Sequence, residues 1–377
     1  PDAEPDAGPE DPTAPGPFAV GVHRGELTYQ PPGLDEPRTL ELVWWYPTTA
    51  TEGDRVRYAG LIVRPQVLGG VPPAELDGGA PVLIFSHGSQ AMPEQSYFFT
   101  EYLASHGWVV AAPEHPGNST RLLGGGPPNL PDWRMVDLRP LDVIAALDHV
   151  DALPPEHPLA GAVHPTWRAV AGHSYGGYTT LAVGGAGLAV DEQLADCDGP
   201  NPSVPRSCDF VREAAERLRA GFADGRVAAL VPMTPPASRP HDGAPLIAAG
   251  GMVSLQAPML LMTGGLDATL PDAEHGDLLW AQTVQPDSLR AHFPSGAHFT
   301  FSNMCNLPIA VDLAPILGDR RICEPEHTPP QVAQPLINAL SRAFLEWHVR
   351  GDDRLRPLLA PAAAFGAPHI ELSEVTP

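Results

Sequence analysis

Lysine is missing altogether from these 377 residues, so all 22 cationic Lys/Arg positions are arginine. Chemistry that runs through a lysine amine, such as a Schiff base, is thereby excluded. Cations are also scarce against 45 carboxylates, and the net charge of −23 leaves little from which a phosphate-backbone ligand could draw affinity. No nucleic-acid partner is expected, and the acidity reads as solubility or adaptation to salt. Apolar runs of eighteen or more residues are absent as well, so no transmembrane helix is expected.

Cysteine is rare, with four residues, and none of them lies in a CxxC or Cys/His metal-ligating spacing. No cysteine-based metal site is expected. The four fall into two local pairs, Cys197 with Cys208 and Cys305 with Cys323. Two disulfides are the natural reading, each closing a short loop and contributing on the order of 3 kcal/mol. Such bridges suit an exported protein, and four free thiols in a cytosolic protein are the alternative. Residues 1–17 hold only Pro, Asp, Ala, Gly, Glu and one Thr, which reads as a disordered linker. Together these features predict a secreted, periplasmic or cell-surface-tethered bacterial protein, with a monomeric catalytic domain over 18–377.

What is present is an alternation of buried strand-like runs with helical patterns, the signature of a mostly parallel sheet covered by helices on both faces. Residues 39–46 alternate as an antiparallel strand, and 81–86, 108–112, 168–172, 227–231, 259–263 and 289–293 are short buried runs. Helices are expected over 95–106, 135–152, 178–189 and 331–349, with Pro140 in the first turn of the second. The stretch of about 190–225 is long for a connection. It reads as an insertion over the sheet edge or the mouth of the site, with a possible lid role.

The strongest chemical signal is Gly172-His173-Ser174-Tyr175-Gly176, a G-x-S-x-G sequence set between a buried strand and a helix. That is the placement of a nucleophile elbow, where a strained turn exposes the serine and flanking glycines permit close backbone approach. The amide of Tyr175 would face a developing oxyanion. A second donor is expected from Ser89, with Gln90 as the neighbouring possibility, on the loop that follows Phe85-Ser86-His87-Gly88; His87 reads as a buttress of that loop. The order Ser, acid, His then points downstream. Asp267 follows the strand at 259–263, with Asp272 and Asp242 as rivals. His298 follows the strand at 289–293, whereas His275 and His292 read as packing or solvent-facing. Met92, Phe98, Trp133 and Met135 are candidates for an apolar acyl pocket, with ordinary core packing as the alternative.

Taken with the segments RTLELVWWYP (38–47), FSHG (85–88), AAPEHPG (111–117), RPLDVIAALD (139–148) and GAHF (296–299), the GHSYGG sequence resembles the α/β-hydrolase superfamily. Within it the likeness is to the dienelactone-hydrolase-like and platelet-activating-factor-acetylhydrolase-like branch, over residues 18–350. The resemblance implies a serine carboxylic-ester hydrolase acting on a small-molecule, lipid or polymer ester, without metal or cofactor. Two departures stand out. Dienelactone hydrolases use a cysteine where this chain has Ser174. The acetylhydrolases place their acid after the sixth strand, where Val231-Pro-Met-Thr-Pro-Pro-Ala offers no aspartate. Phospholipid acetylhydrolase, lipase and polyester hydrolase remain alternatives, as do a peptidase or amidase using the same triad and a non-catalytic binding protein on a hydrolase scaffold.

Overall fold

The computed structural model describes residues 11–120, 129–240, 242–308 and 321–375. Its strands are β1 (Ala19–Tyr29), β2 (Arg38–Thr48), β3 (Asp54–Tyr58), β4 (Ile62–Gly69), β5 (Ala80–Ser86), β6 (Val109–Pro113), β7 (Val163–His173), β8 (Val227–Met233), β9 (Leu260–Gly264), β10 (Leu289–Phe293) and β11 (Glu371–Glu374). They form one sheet in the order β11-β10-β9-β8-β7-β5-β6-β2-β1-β4-β3. From β6 to β10 the neighbours run parallel, and β2 and β11 join the two ends of that block antiparallel. The mostly parallel, helix-flanked sheet is the expected fold class.

The helices are α1 (Tyr97–Ser105), α2 (Met135–Asp151), α3 (Tyr175–Val183), α4 (Val190–Cys197), α5 (Cys208–Ala220), α6 (Gly276–Ala281) and α7 (Pro330–Leu345). Strand periodicity divides the core between the two faces. Val82 and Ile84 of β5 join the cluster under α2, α3 and α5, while Leu83 and Phe85 join the one under α1 and α7. A strand buried on both faces reads as an unbroken apolar run, which is why the central strands were legible. Strands β1, β3, β4 and β11 were not, because they are partly exposed and carry polar residues.

Several expectations need correction. Pro140 sits in the second turn of α2, whose first turn begins at Met135. The missing proline N–H would orphan the carbonyl of Val136, and the Tyr178 hydroxyl donates to that oxygen at 2.8 Å. Helix α3 runs 175–183, not 178–189, and stops at Gly184-Gly185, the latter with φ of 97°. The last helix is α-helical only to Leu345 and widens into a π-turn over Glu346–Arg350. Residues 1–10 of the expected linker lie outside the described residues, but 11–17 are docked on α1. The Gly16 amide donates to Ser105 Oγ at 2.9 Å, and the Tyr102 hydroxyl donates to the Pro12 carbonyl. Composition hid this docking because these small residues bond to α1 through their own backbone atoms.

Both cysteine pairs are bonded, Cys197 to Cys208 and Cys305 to Cys323. The first joins α4 to the start of α5 within the 190–225 segment. Helix α5 is held to α2 by an ion pair between Arg217 and Asp137 at 2.5 Å, and Phe210 packs its ring 5.6 Å from that of Trp133.

A histidine cluster beneath β2 makes stability depend on pH. The His157 ring lies 5.1 Å from the ring of Trp44 and 5.0 Å from that of His23, with His149 at 6.0 Å. Burial, reinforced by His23 and His149, pulls the His157 imidazole down to about 4. A lowered folded-state value means that the unfolded chain takes up the proton first. This contribution to stability is therefore full above about 6.5, the ordinary histidine value, and is lost as pH falls towards 4. The melting temperature is expected to drop less steeply between pH 7 and 4 in His157→Phe than in the parent; parallel slopes would refute the assignment.

Candidate active site

Ser174 occupies the turn between β7 and α3 with φ of 56° and ψ of −122°, and its amide donates to the Met233 carbonyl at 2.8 Å. Such a conformation costs a non-glycine residue about 1–3 kcal/mol and persists only where its surroundings enforce it. The flanking glycines do so. A Cβ on Gly172 would stand 2.3 Å from the Gly176 carbonyl oxygen, and one on Gly176 would stand 1.8 Å from that of Ser86. No side chain fits either position, so the elbow is pressed against the end of β5. The turn places Ser174 at the start of α3, where the helix dipole favours negative charge.

His298 follows β10 at the head of a short 3-10 turn and is 3% exposed. Its Nδ1 lies 2.8 Å from Asp267 Oδ2. Asp267 follows β9, and its Oδ1 accepts the amides of Thr269 at 2.9 Å and Leu270 at 2.7 Å. A carboxylate so bound presents only an acceptor to the ring, which puts the proton on Nδ1 and leaves Nε2 as a base. The rival acids are engaged elsewhere. Asp272 holds Arg290 at 2.6 Å and His292 at 3.0 Å, and Asp242 holds Arg239 at 2.9 Å. His275 is buried and accepts the Ala237 amide at 3.1 Å.

Sequence reasoning missed the residues that join Ser174, His298 and the loop of Ser89. Gln95 Oε1 accepts the Gly88 amide at 2.7 Å, and its Nε2 donates to His173 Nδ1. His173 Nε2 in turn donates to the His298 carbonyl at 2.8 Å, with the two rings 4.7 Å apart. Burial, with the neighbouring His298 adding to it, holds His173 far below the ordinary histidine range. It is therefore a neutral strut that sets the base loop beside the residue preceding Ser174. Its place within GHSYG was visible, but its partner Gln95 is 78 positions away.

The expected oxyanion loop has the character of a rigid ledge. His87 is fully buried, with Nδ1 donating to the Gly88 carbonyl at 2.7 Å and Nε2 accepting the His115 amide at 3.3 Å. Ser86 Oγ, His115 and Asp142 form a second serine–histidine–aspartate array, at 2.9 and 2.8 Å, closed by the Arg38 fork and the Tyr29 hydroxyl on Asp142. All of Ser86, His115 and Asp142 are 0% exposed, so this array supports the loop and meets no substrate. Among the described residues no hydrogen bond occupies the amides of Ser89, Gln90 or Tyr175.

The pocket candidates separate. Trp133 is half-buried beside Phe210, with the Arg134 guanidinium 5.5 Å from both rings. Asp132 next to it accepts the Tyr175 hydroxyl on its carbonyl at 2.9 Å. Met92 and Phe98 are half-buried on the segment that carries Gln95. Met135 is 0% exposed inside the core, so it offers no surface to a ligand. Two clefts, of about 670 and 580 Å³, lie along Trp347 and Glu374 and between β1 and α2, and neither is lined by Ser174 or His298.

The family model for platelet-activating factor acetylhydrolase, isoform II, matches residues 72–122, the stretch that carries the Ser89 loop and β6. No curated protein matches the chain. Among solved structures, a ferulic acid esterase from Streptomyces cinnamoneus superposes with a TM-score of 0.62 at 20% identity, covering 96% of this chain and 98% of that one. The likeness establishes an α/β-hydrolase fold, and the family match makes the chain similar to the acetylhydrolases over that segment.

Proposed function

We propose that this α/β-hydrolase-fold chain is a serine carboxylic-ester hydrolase working through an acyl-enzyme. The reading is carried by the 2.8 Å contact of His298 Nδ1 with Asp267, together with the φ of 56° at Ser174 on the elbow, whose preceding residue His173 has its ring 4.7 Å from that of His298. Ser174 Oγ attacks the ester carbonyl as its proton passes to His298 Nε2. The negative oxygen is met by the amides of Tyr175 and Ser89, each worth about 3–4 kcal/mol in the transition state. The imidazolium then protonates the leaving alkoxide, and a water deprotonated by the same ring releases the acid.

The similarity to acetylhydrolases and the name of the structural neighbour both favour ester over amide substrates. A phospholipid acetylhydrolase activity is the second reading, favoured by the match over residues 72–122. Against it stands the position of the acid, after β9 instead of after β8. The half-buried Trp133, packed on the buried Phe210, suits an apolar or aromatic ester group at the rim of the site. Two disulfides, and the absence among the described residues of any helix long and apolar enough to cross a membrane, support an extracytoplasmic location.

A fluorophosphonate probe is expected to label Ser174, as read by peptide mapping, and p-nitrophenyl esters to be cleaved where p-nitroanilides are not. An unlabelled protein would favour a binding module on this scaffold. Preference for acetyl or butyryl esters would mark a shallow acyl pocket, whereas long-chain preference would support the lipase or phospholipid reading.

A further inference from the structure

Arg139 is fully buried in α2 and lacks a carboxylate partner among the described residues, unlike the buried arginines Arg38, Arg168 and Arg239, which hold Asp142, Asp151 and Asp242. Its Nη2 donates to the carbonyl of His87, and its Nη1 to Asn118 Oδ1 at 3.0 Å. Asn118 Nδ2 passes the contact on to Ser89 Oγ at 3.2 Å. The guanidinium also lies 5.0 Å from the centre of the Tyr175 ring, and Nε has no partner. The buried carboxylate of Asp142, whose field reaches Arg139, is already bonded to Arg38, Tyr29 and His115.

A buried cation without a counter-ion is costly, and an apolar side chain of the same length would fill the space at lower cost. Burial pulls the Arg139 guanidinium down to about 10, which still leaves it charged at neutral pH. Its contacts converge on the two residues whose amides would meet the oxyanion. One tether reaches the loop of Ser89 through the His87 carbonyl, a second reaches Ser89 through Asn118, and the ring contact reaches Tyr175 at the head of α3.

We propose that Arg139 is the positioning residue of the oxyanion hole: a single guanidinium fixes the Ser89 loop against Tyr175 and holds behind them a positive charge that no carboxylate bonds directly. The role acts in the transition state, since the neutral ground-state ester gains little from that charge. It rests on the proposed Ser174 chemistry.

The test compares parent, Arg139→Gln and Arg139→Lys by kcat and KM per labelled site on a p-nitrophenyl ester, and by the Ki of a boronic acid that mimics the tetrahedral adduct. Arg139→Gln is expected to lose about 10²-fold in kcat with KM nearly constant and to weaken the boronate by a similar factor, whereas Arg139→Lys keeps the charge and recovers part of both. A purely structural role would lower the melting temperature and the labelled fraction while leaving kcat per labelled site and Ki unchanged, and that result overturns the proposal. Should Arg139→Gln fail to fold, Asn118→Ala removes one tether only. It is expected to lower kcat and raise Ki together by about tenfold, and unchanged values refute the clamp. A parent protein that fluorophosphonate does not label sinks the Ser174 reading itself, which separates the two failures.

Discussion

Ser174→Ala is expected to lower kcat by about 10⁶-fold while leaving the melting temperature nearly unchanged. The two halves of this expectation have separate causes. In the proposed mechanism catalysis depends on one oxygen, because the His298–Asp267 pair has no other nucleophile to activate at the elbow, and a serine removed from such a unit costs about as much as the whole unit. The fold depends on the backbone. At residue 174 that backbone is held by the hydrogen bond its amide donates to the Met233 carbonyl and by the glycine contacts on either side, none of which involves Oγ. Alanine tolerates φ of 56° no worse than serine does, so no new strain enters. Ester assay and thermal unfolding of the same preparation check both halves. Turnover at the parent's level would remove Ser174 from the nucleophile's role.

Asp267→Asn carries the second large effect, a fall in kcat of about 10⁴-fold with the geometry preserved. The asparagine oxygen would remain where Oδ1 is, accepting the Thr269 and Leu270 amides, because those two donors cannot be satisfied by an NH₂ group. The amide nitrogen is then turned to His298 Nδ1, which must accept. The ring proton moves to Nε2, and the base can no longer take the proton of Ser174. Asp272→Asn serves as the comparison, since its carboxylate faces Arg290 and His292 and its loss should leave kcat within a few-fold of the parent. An inverted outcome, with Asp272→Asn inactive and Asp267→Asn active, would transfer the acid's role.

The legibility of the site followed the range of the forces involved. The elbow announces itself locally, because steric exclusion at Gly172 and Gly176 acts within five residues. Sequence order favoured Asp267 as the partner of His298 but left two rivals, Asp272 one short loop later and Asp242 in the preceding connection. What separated them was ion pairing: Arg290 and Arg239 claim the rivals and leave Asp267 to the imidazole. Gln95, Asn118 and Arg139 carried no local signal. Each acts on a residue 21 to 78 positions away, and nothing in a helix pattern such as that of α2 distinguishes an arginine facing solvent from one lying under the site. Composition misled at residues 11–17 for a related reason, since small residues can dock through the backbone alone.

By itself the sequence determined the layered sheet, the serine at its strand-to-helix turn, the cysteine pairs and the exclusion of lysine chemistry. These follow from periodicity, from sterics between neighbouring residues and from which atoms are present at all. Tertiary structure alone decided which aspartate faces His298, which histidine is a neutral strut, and which arginine lies buried without a carboxylate. Hydrogen bonds and ion pairs between distant segments are exclusive: an acceptor taken by one donor is closed to the next, and only the folded chain assigns them.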